Sequence, residues 1–185
     1  MADTAFKRAT YEDILALPEN VVGEIVNGVL HVQPRPAPAH VITASKLSGE
    51  LEPPFGKAKG GPGGWVFATE PELHLGAEVM VPDMAGWRKE AFELPQTAFF
   101  EQPPDWICEL LSPSTARHDR INKMTHYREF GVVYAWLIDP VAKTLEAYRV
   151  SDGQWLQIAA LGEKGSVKVD PFDAISFNLE ALWVS

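Results

Sequence analysis

Residues 106–140 read WICELLSPSTARHDRINKMTHYREFGVVYAWLIDP, and this stretch decides the fold. Residues 106–111 form a short apolar run interrupted by one acid, Glu109. Residues 132–138 are apolar almost throughout, as expected of a central strand covered on both faces. Between them, Ser114 or Thr115 can cap a helix that runs to Phe130, where Gly131 supplies the stop. Strand, helix and strand in that order make a βαβ crossover.

Working towards the N-terminus, residues 78–87 read as a strand with Pro82 as an irregularity, and 65–69 and 72–75 read as two more. Residues 56–64 hold five glycines, two lysines and a proline, and form a loop. Residues 39–52 suit a helix with Val41, Ala44, Leu47 and Leu51 on one face. Before it, runs 21–26 and 29–32 flank Asn27-Gly28, a pair that accepts the positive φ angles of a tight hairpin turn. Thr10 and Asp13 resemble a capping box that opens a short helix, stopped at Pro18. Towards the C-terminus, residues 144–150 and 154–160 make a second hairpin through Asp152-Gly153, and one more strand and a short helix follow. The expected architecture is α/β (α+β): a mixed sheet flanked by helices, with a β-hairpin near each end.

The 185 residues match a single domain, 1–185, since domains take roughly 100–200 residues. With 46% hydrophobic residues there is ample side chain for a core. No apolar run approaches the ~20 residues that a bilayer demands, and Met1–Arg8 carries no apolar leader segment. Cys108 is the only cysteine, so no internal disulfide forms, which fits a reducing cytoplasm. A net charge of −9 argues against a protein that coats DNA through many phosphate contacts. It leaves room for an enzyme that holds nucleic acid through a metal ion and a few local cations.

Two acids stand where acids are costly, Asp83 in Val79-Met80-Val81-Pro82-Asp83-Met84 and Glu109 within its apolar run. Such carboxylates must be paired, protonated, metal-bound or turned to a solvent-facing edge. Two of them on neighbouring strands would form an oxygen-rich site suited to Mg²⁺ or Mn²⁺; two rim acids accepting hydrogen bonds is the plainer reading. On the following helix, Asp119, Lys123 and Tyr127 fall at i, i+4 and i+8, close to one face. Arg117, Arg120 and Arg128 make that segment locally basic. An exposed Asp119–Lys123 ion pair would contribute only ~0.3–0.5 kcal/mol, so position rather than stability gives the pair its interest. Cys108 reads as a core residue, His118 and His126 as structural or exposed, and the tryptophans as core and interface anchors.

Several separated motifs also share one resemblance. Pro82-Asp83, Glu109 through Thr115, then Asp119, Lys123, Tyr127 and Gly131-Val132, and Tyr134 through Pro140 resemble the putative restriction endonuclease domain family of the PD-(D/E)xK nuclease superfamily. Glu24-Ile25-Val26-Asn27-Gly28-Val29-Leu30 matches that family's N-terminal hairpin, and Pro36-Ala37-Pro38-Ala39-His40 matches the start of its next helix. The resemblance spans about residues 10–150. It implies a restriction-endonuclease-like core in which Asp83, Glu109 and a strand carbonyl, that of Leu110, hold Mg²⁺ or Mn²⁺ for phosphodiester hydrolysis, with DNA as substrate. The superfamily places a lysine two residues beyond the glutamate, where this chain has Leu111, so Lys123 is the candidate replacement. Glu24 adds a further carboxylate. Lys57, Lys59, Arg117, Asp119 and His40 are candidates for substrate contact, the two lysines from a loop acting as a flap. By analogy with nucleases that cut both strands, a homodimer is expected. A catalytically inactive relative that binds nucleic acid or a protein is the alternative.

Overall fold

A computed structural model of the chain describes residues 7–183; residues 1–6, most of the segment read above as lacking a leader, lie outside them. The first element among the described residues is a short helix α1 (Tyr11–Leu15), whose start is fixed by the Thr10 N–H donating to Asp13 Oδ2 at 2.8 Å. Strands β1 (Val21–Val26) and β2 (Val29–Pro34) form the expected hairpin. Asn27 and Gly28 take φ values of 57° and 72°, as a two-residue turn of this hand requires. The buried Glu78 carboxylate closes that turn by accepting the Asn27 N–H at 2.7 Å.

Helix α2 (Pro38–Leu51) buries Thr43, Leu47 and Leu51, while Val41 is 52% exposed, contrary to the face expected from the sequence. The rotation has a local cause. Thr43 Oγ1 donates to the Leu182 carbonyl, so the C-terminal turn Leu179–Leu182 packs where a purely apolar stripe would have pointed elsewhere. A π-helical turn, Glu52–Gly56, ends α2 and leads into the glycine-rich loop.

The expected strand 78–87 is two strands. β4 (Leu73–Leu75) and β5 (Glu78–Met80) extend the first hairpin into a four-stranded sheet ordered β2-β1-β5-β4. β6 (Met84–Arg88) instead pairs with β3 (Trp65–Thr69) and β7 (Trp106–Leu110). Pro82 sits at the break because it has no N–H for a ladder and fixes its own φ, so the chain leaves one sheet and enters the other there.

The second sheet is mixed and six-stranded, ordered β10 (Gln154–Gly162), β9 (Thr144–Ser151), β8 (Tyr134–Asp139), β7, β6 and β3. β8 (Tyr134–Asp139) runs parallel to β7, the crossover anticipated from residues 106–140. β9 (Thr144–Ser151) and β10 (Gln154–Gly162) form the C-terminal hairpin, with φ of 49° at Asp152 and 71° at Gly153. β11 (Ser166–Val167) and β12 (Phe177–Asn178) pair beyond it.

Side chains on β7 alternate between two apolar layers. Trp106, Cys108 and Leu110 join the layer under α2, with Leu47, Leu51 and Trp136. Ile107 and Leu111 join the other, with Met124, Tyr127 and Leu137. Glu109 lies on this second face, between Ile107 and Leu111.

The crossover helix, α3 (116–129), is not one regular helix. It consists of a single turn at Ala116–His118, a π-helical turn at Asp119–Lys123 and an α-helical stretch at Met124–Glu129. The Met124 N–H reaches back five residues to the Asp119 carbonyl. The widened turn holds both Asp119 and Lys123 inward, at 4% and 2% exposure, although Arg117 and Arg120 beside them face solvent.

Candidate active site

Pairing register brings the two acids together. Met84 lies opposite Cys108, so Asp83, one residue before it, falls beside Glu109. Met84 and Cys108 share the α2 layer, whereas Ala85 and Ile107 share the α3 layer. By the two-residue period of a strand, Glu109 turns to the α3 side, while Asp83 sits in the bend just before β6. Asp83 Oδ2 accepts the Leu110 N–H at 2.6 Å, which ties it to the residue after Glu109. Its other oxygen pairs with His40 Nε2 at the start of α2.

Lys123 comes down onto this pair from α3. Its Nζ is 2.9 Å from Glu109 Oε1 and 2.7 Å from Glu24 Oε1, and it donates to the Val81 carbonyl at 3.2 Å. The ammonium is thus ringed by two carboxylates and a carbonyl, and the carbonyl accepts its hydrogen bond. Asp119 stands one helical turn away, at 4.0 Å. Each acid is itself held in place. Glu24 accepts the Val81 N–H at 2.7 Å and a Gln33 amide at 3.3 Å, and Glu109 accepts the Tyr127 hydroxyl at 2.6 Å. Glu24 is in reach because β1 pairs with β5, so the two sheets meet at the Val81–Asp83 crossing.

The electrostatics follow from three carboxylates around one cation. Burial holds the Glu109 carboxyl well above the usual range; Lys123 opposes that shift, and Asp119, Asp83 and Glu24 reinforce it. Burial likewise raises Asp119, again against the pull of Lys123. Burial disfavours the Lys123 charge, but Glu109 and Glu24 outweigh it and raise the ammonium well above an ordinary lysine. Burial and the neighbouring Glu109 push the Tyr127 hydroxyl far up, so it stays a donor. For His40, burial is opposed and overcome by Asp83, and the net shift is upward.

These groups line one cleft of about 780 Å³. Of the residues expected at the site, Asp83, Glu109, Leu110, Lys123, Glu24, Asp119 and His40 all line it. Lys57, Lys59 and Arg117 do not; all three are exposed. Lys57 and Lys59 follow the C-terminal end of α2 while His40 stands at its N-terminal end, roughly 20 Å away along the axis at ~1.5 Å per residue. A flap from that loop does not reach the acids. Arg117 faces solvent because the π-helical turn commits the inner face to Asp119 and Lys123. Leu111 is a core side chain, 2% exposed.

Tyr127 belongs to the site as the partner of Glu109, and its i+8 spacing from Asp119 was the signal for it. Gln33, Arg35, Glu70 and Ser112–Thr115 also line the cleft and were given no role from the sequence. For Ser112–Thr115 the signal was there, in the motif that follows Glu109. For Gln33 and Arg35 it was not, since only the fold of the hairpin brings β2 alongside.

The donor set fits a hard divalent ion. Asp83, Glu109 and the Leu110 carbonyl are oxygen donors, and Mg²⁺ is usually held by one or two carboxylates with water and phosphate filling the remaining positions. Among the described residues no three His, Cys, Asp or Glu side chains converge closely enough to hold an ion by themselves. Among the described residues, also, no helix is long and apolar enough to cross a membrane.

Residues 9–180 match the family Uma2, described as "putative restriction endonuclease". No curated protein matches the chain significantly. Among solved structures, the chain is similar to a crystal structure of a "putative nuclease" from Anabaena variabilis, with a TM-score of 0.75 at 22% identity, covering 94% of this chain and 97% of that one. At that identity the likeness shows a shared fold.

Proposed function

Because the chain belongs to the Uma2 family of "putative restriction endonucleases", we propose that its cleft hydrolyses phosphodiester bonds of nucleic acid, DNA foremost, with Mg²⁺ or Mn²⁺ on Asp83, Glu109 and the Leu110 carbonyl. The observation that carries this reading is a buried lysine 2.9 Å from the Glu109 carboxylate of β7, in a cleft that Asp83 also lines. When bound, the ion would lower the pKa of a coordinated water and offset charge on the phosphate.

The chain's own residues would do the rest. His40 and the Leu110 N–H fix the orientation of Asp83, and Tyr127 fixes Glu109. Lys123 takes the place of the lysine that the superfamily carries where Leu111 stands, approaching from α3 rather than along the strand. Its ammonium orients the attacking water or neutralises the phosphate oxygen that gains charge. Glu24 holds Lys123 in register. The reaction adds one water across one P–O bond: a P–O bond to the water oxygen forms, one ester P–O bond breaks, and the departing alkoxide is protonated. Near-complete burial of Glu24, Glu109 and Lys123 keeps bulk water from competing with these contacts.

The test pairs calorimetry with cleavage. Mn²⁺ should bind the parent protein, and Asp83→Asn should weaken that binding at least about tenfold, ~1.4 kcal/mol, while abolishing cleavage of labelled DNA. An amide oxygen can still accept the Leu110 N–H, so the fold should persist. Parent-like Mn²⁺ affinity or cleavage in Asp83→Asn would remove Asp83 from the metal site.

A further inference from the structure

Resting on the hydrolytic reading, we propose that this cleft admits an unpaired nucleic-acid segment, a single strand or a frayed strand end, and not continuous duplex. Three observations converge on that substrate class.

The first is size against depth. A cleft of about 780 Å³ has the dimensions of a small-ligand pocket, typically ~300–1,000 Å³. The groups that must meet the scissile phosphate lie deep in it: the Glu109 and Lys123 side chains are each 3% exposed, and that of Asp83 is 13% exposed. Duplex phosphates ride on the outside of a wide rod whose bases are stacked and paired. To touch Glu109, the phosphate has to descend with its sugar and base, and only an unpaired nucleotide does so without breaking pairs at the expense of a few kcal/mol.

The second is charge. Seven carboxylates line the cleft: Glu19, Glu70 and Glu72 besides Glu24, Asp83, Glu109 and Asp119. Against them stand Arg35 and Lys123, with His40 engaged by Asp83. Lys123 is already paired with Glu24 and Glu109, and Arg35 Nη2 donates to the Glu19 carbonyl at 2.9 Å. A duplex is held largely through Lys and Arg contacts to its phosphates, of which this lining supplies few.

The third is the apolar part of the lining, which includes Ile14, Leu17, Val22, Pro36, Pro113 and Val141. Covering the apolar faces that an unpaired strand exposes, and a duplex conceals, with such a surface removes them from water.

The experiment compares a fluorescein-labelled single strand, the same strand annealed to its complement, and a duplex with one single-stranded overhang. Binding is measured by anisotropy with Ca²⁺ as the hard cation, and cleavage with Mg²⁺, alongside Asp83→Asn to tie any cutting to this site. The single strand and the overhang should bind and be cut at least about tenfold better than blunt duplex. Binding of the single strand should fall with salt at a log–log slope of only about −1, since each neutralised phosphate contributes roughly −0.7. Equal or better binding of blunt duplex, or a slope steeper than roughly −4, overturns the inference. Cutting of none of the three substrates counts against the hydrolytic reading, and the binding ratio then still decides the substrate class.

Discussion

Replacing Lys123 by Met tests the centre of this structure. Methionine keeps most of the side-chain volume, so the change removes a charge rather than opening a cavity. What remains is Glu24 and Glu109, 2% and 3% exposed, which lose the ammonium at 2.7 and 2.9 Å. Deleting one partner of a buried ion pair typically destabilises by about 3–5 kcal/mol, because the other charge stays buried without compensation. Here the penalty has an escape, since Glu109 can take up a proton. Its folded pKa is already raised by burial, and losing Lys123 raises it further. A carboxyl whose folded pKa lies above its unfolded value binds more protons folded than unfolded. Stability is therefore highest below the unfolded value near ~4.3 and falls as pH rises through the folded pKa. Lys123→Met should lose about 3–5 kcal/mol at about pH 8, and only about 1 kcal/mol at about pH 5, where protonation substitutes for the cation. Urea unfolding followed by tryptophan fluorescence in metal-free buffer reads both values. Adding Glu24→Gln should restore part of the loss at the higher pH, because it removes one of the two stranded charges. An equal loss at both pH values, or a loss below about 1 kcal/mol at both, would refute the view of Lys123 as the counter-charge of this cluster.

Two further outcomes follow from neighbouring groups. Tyr127→Phe removes the hydroxyl that donates to Glu109 at 2.6 Å and should lower stability by about 1–3 kcal/mol in the same urea assay; an unchanged midpoint would mean that Glu109 does not need this donor. His118, whose ring lies tilted against His31 with centroids 4.1 Å apart, has its pKa pushed down to about 4, chiefly by burial and then by His31. A histidine with a depressed folded pKa contributes stability above its unfolded value near ~6.5 and loses it as pH falls towards 4. The full shift would correspond to about 3 kcal/mol, and since the residue is partly exposed, screening reduces that to roughly 1 kcal/mol. His118→Gln should flatten that part of the stability–pH curve, and a curve that keeps its slope would place the titration elsewhere.

Much of this molecule was legible in its residues. Asn27-Gly28 and Asp152-Gly153 announced both hairpins, because few pairs accept two positive φ angles in succession. The parallel crossover was legible from the apolar strands on either side of a cappable helix. Asp83 and Glu109 stood out because a carboxylate inside an apolar strand must have a partner. What the sequence determined by itself was local: turn chemistry, strand period and the anomaly of two acids. Tertiary structure decided the rest, since it depends on which elements meet. Pro82 marked an irregularity, but only sheet pairing showed that the chain changes sheets there and so sets Glu24 beside Lys123. No periodicity rule reveals the π-helical turn at Asp119–Lys123, which is stable because three carboxylates and a carbonyl wait for the lysine it presents. The charge states of the cluster were out of reach for the same reason: they are set by burial and by distances of a few ångströms between residues up to about a hundred positions apart in the chain.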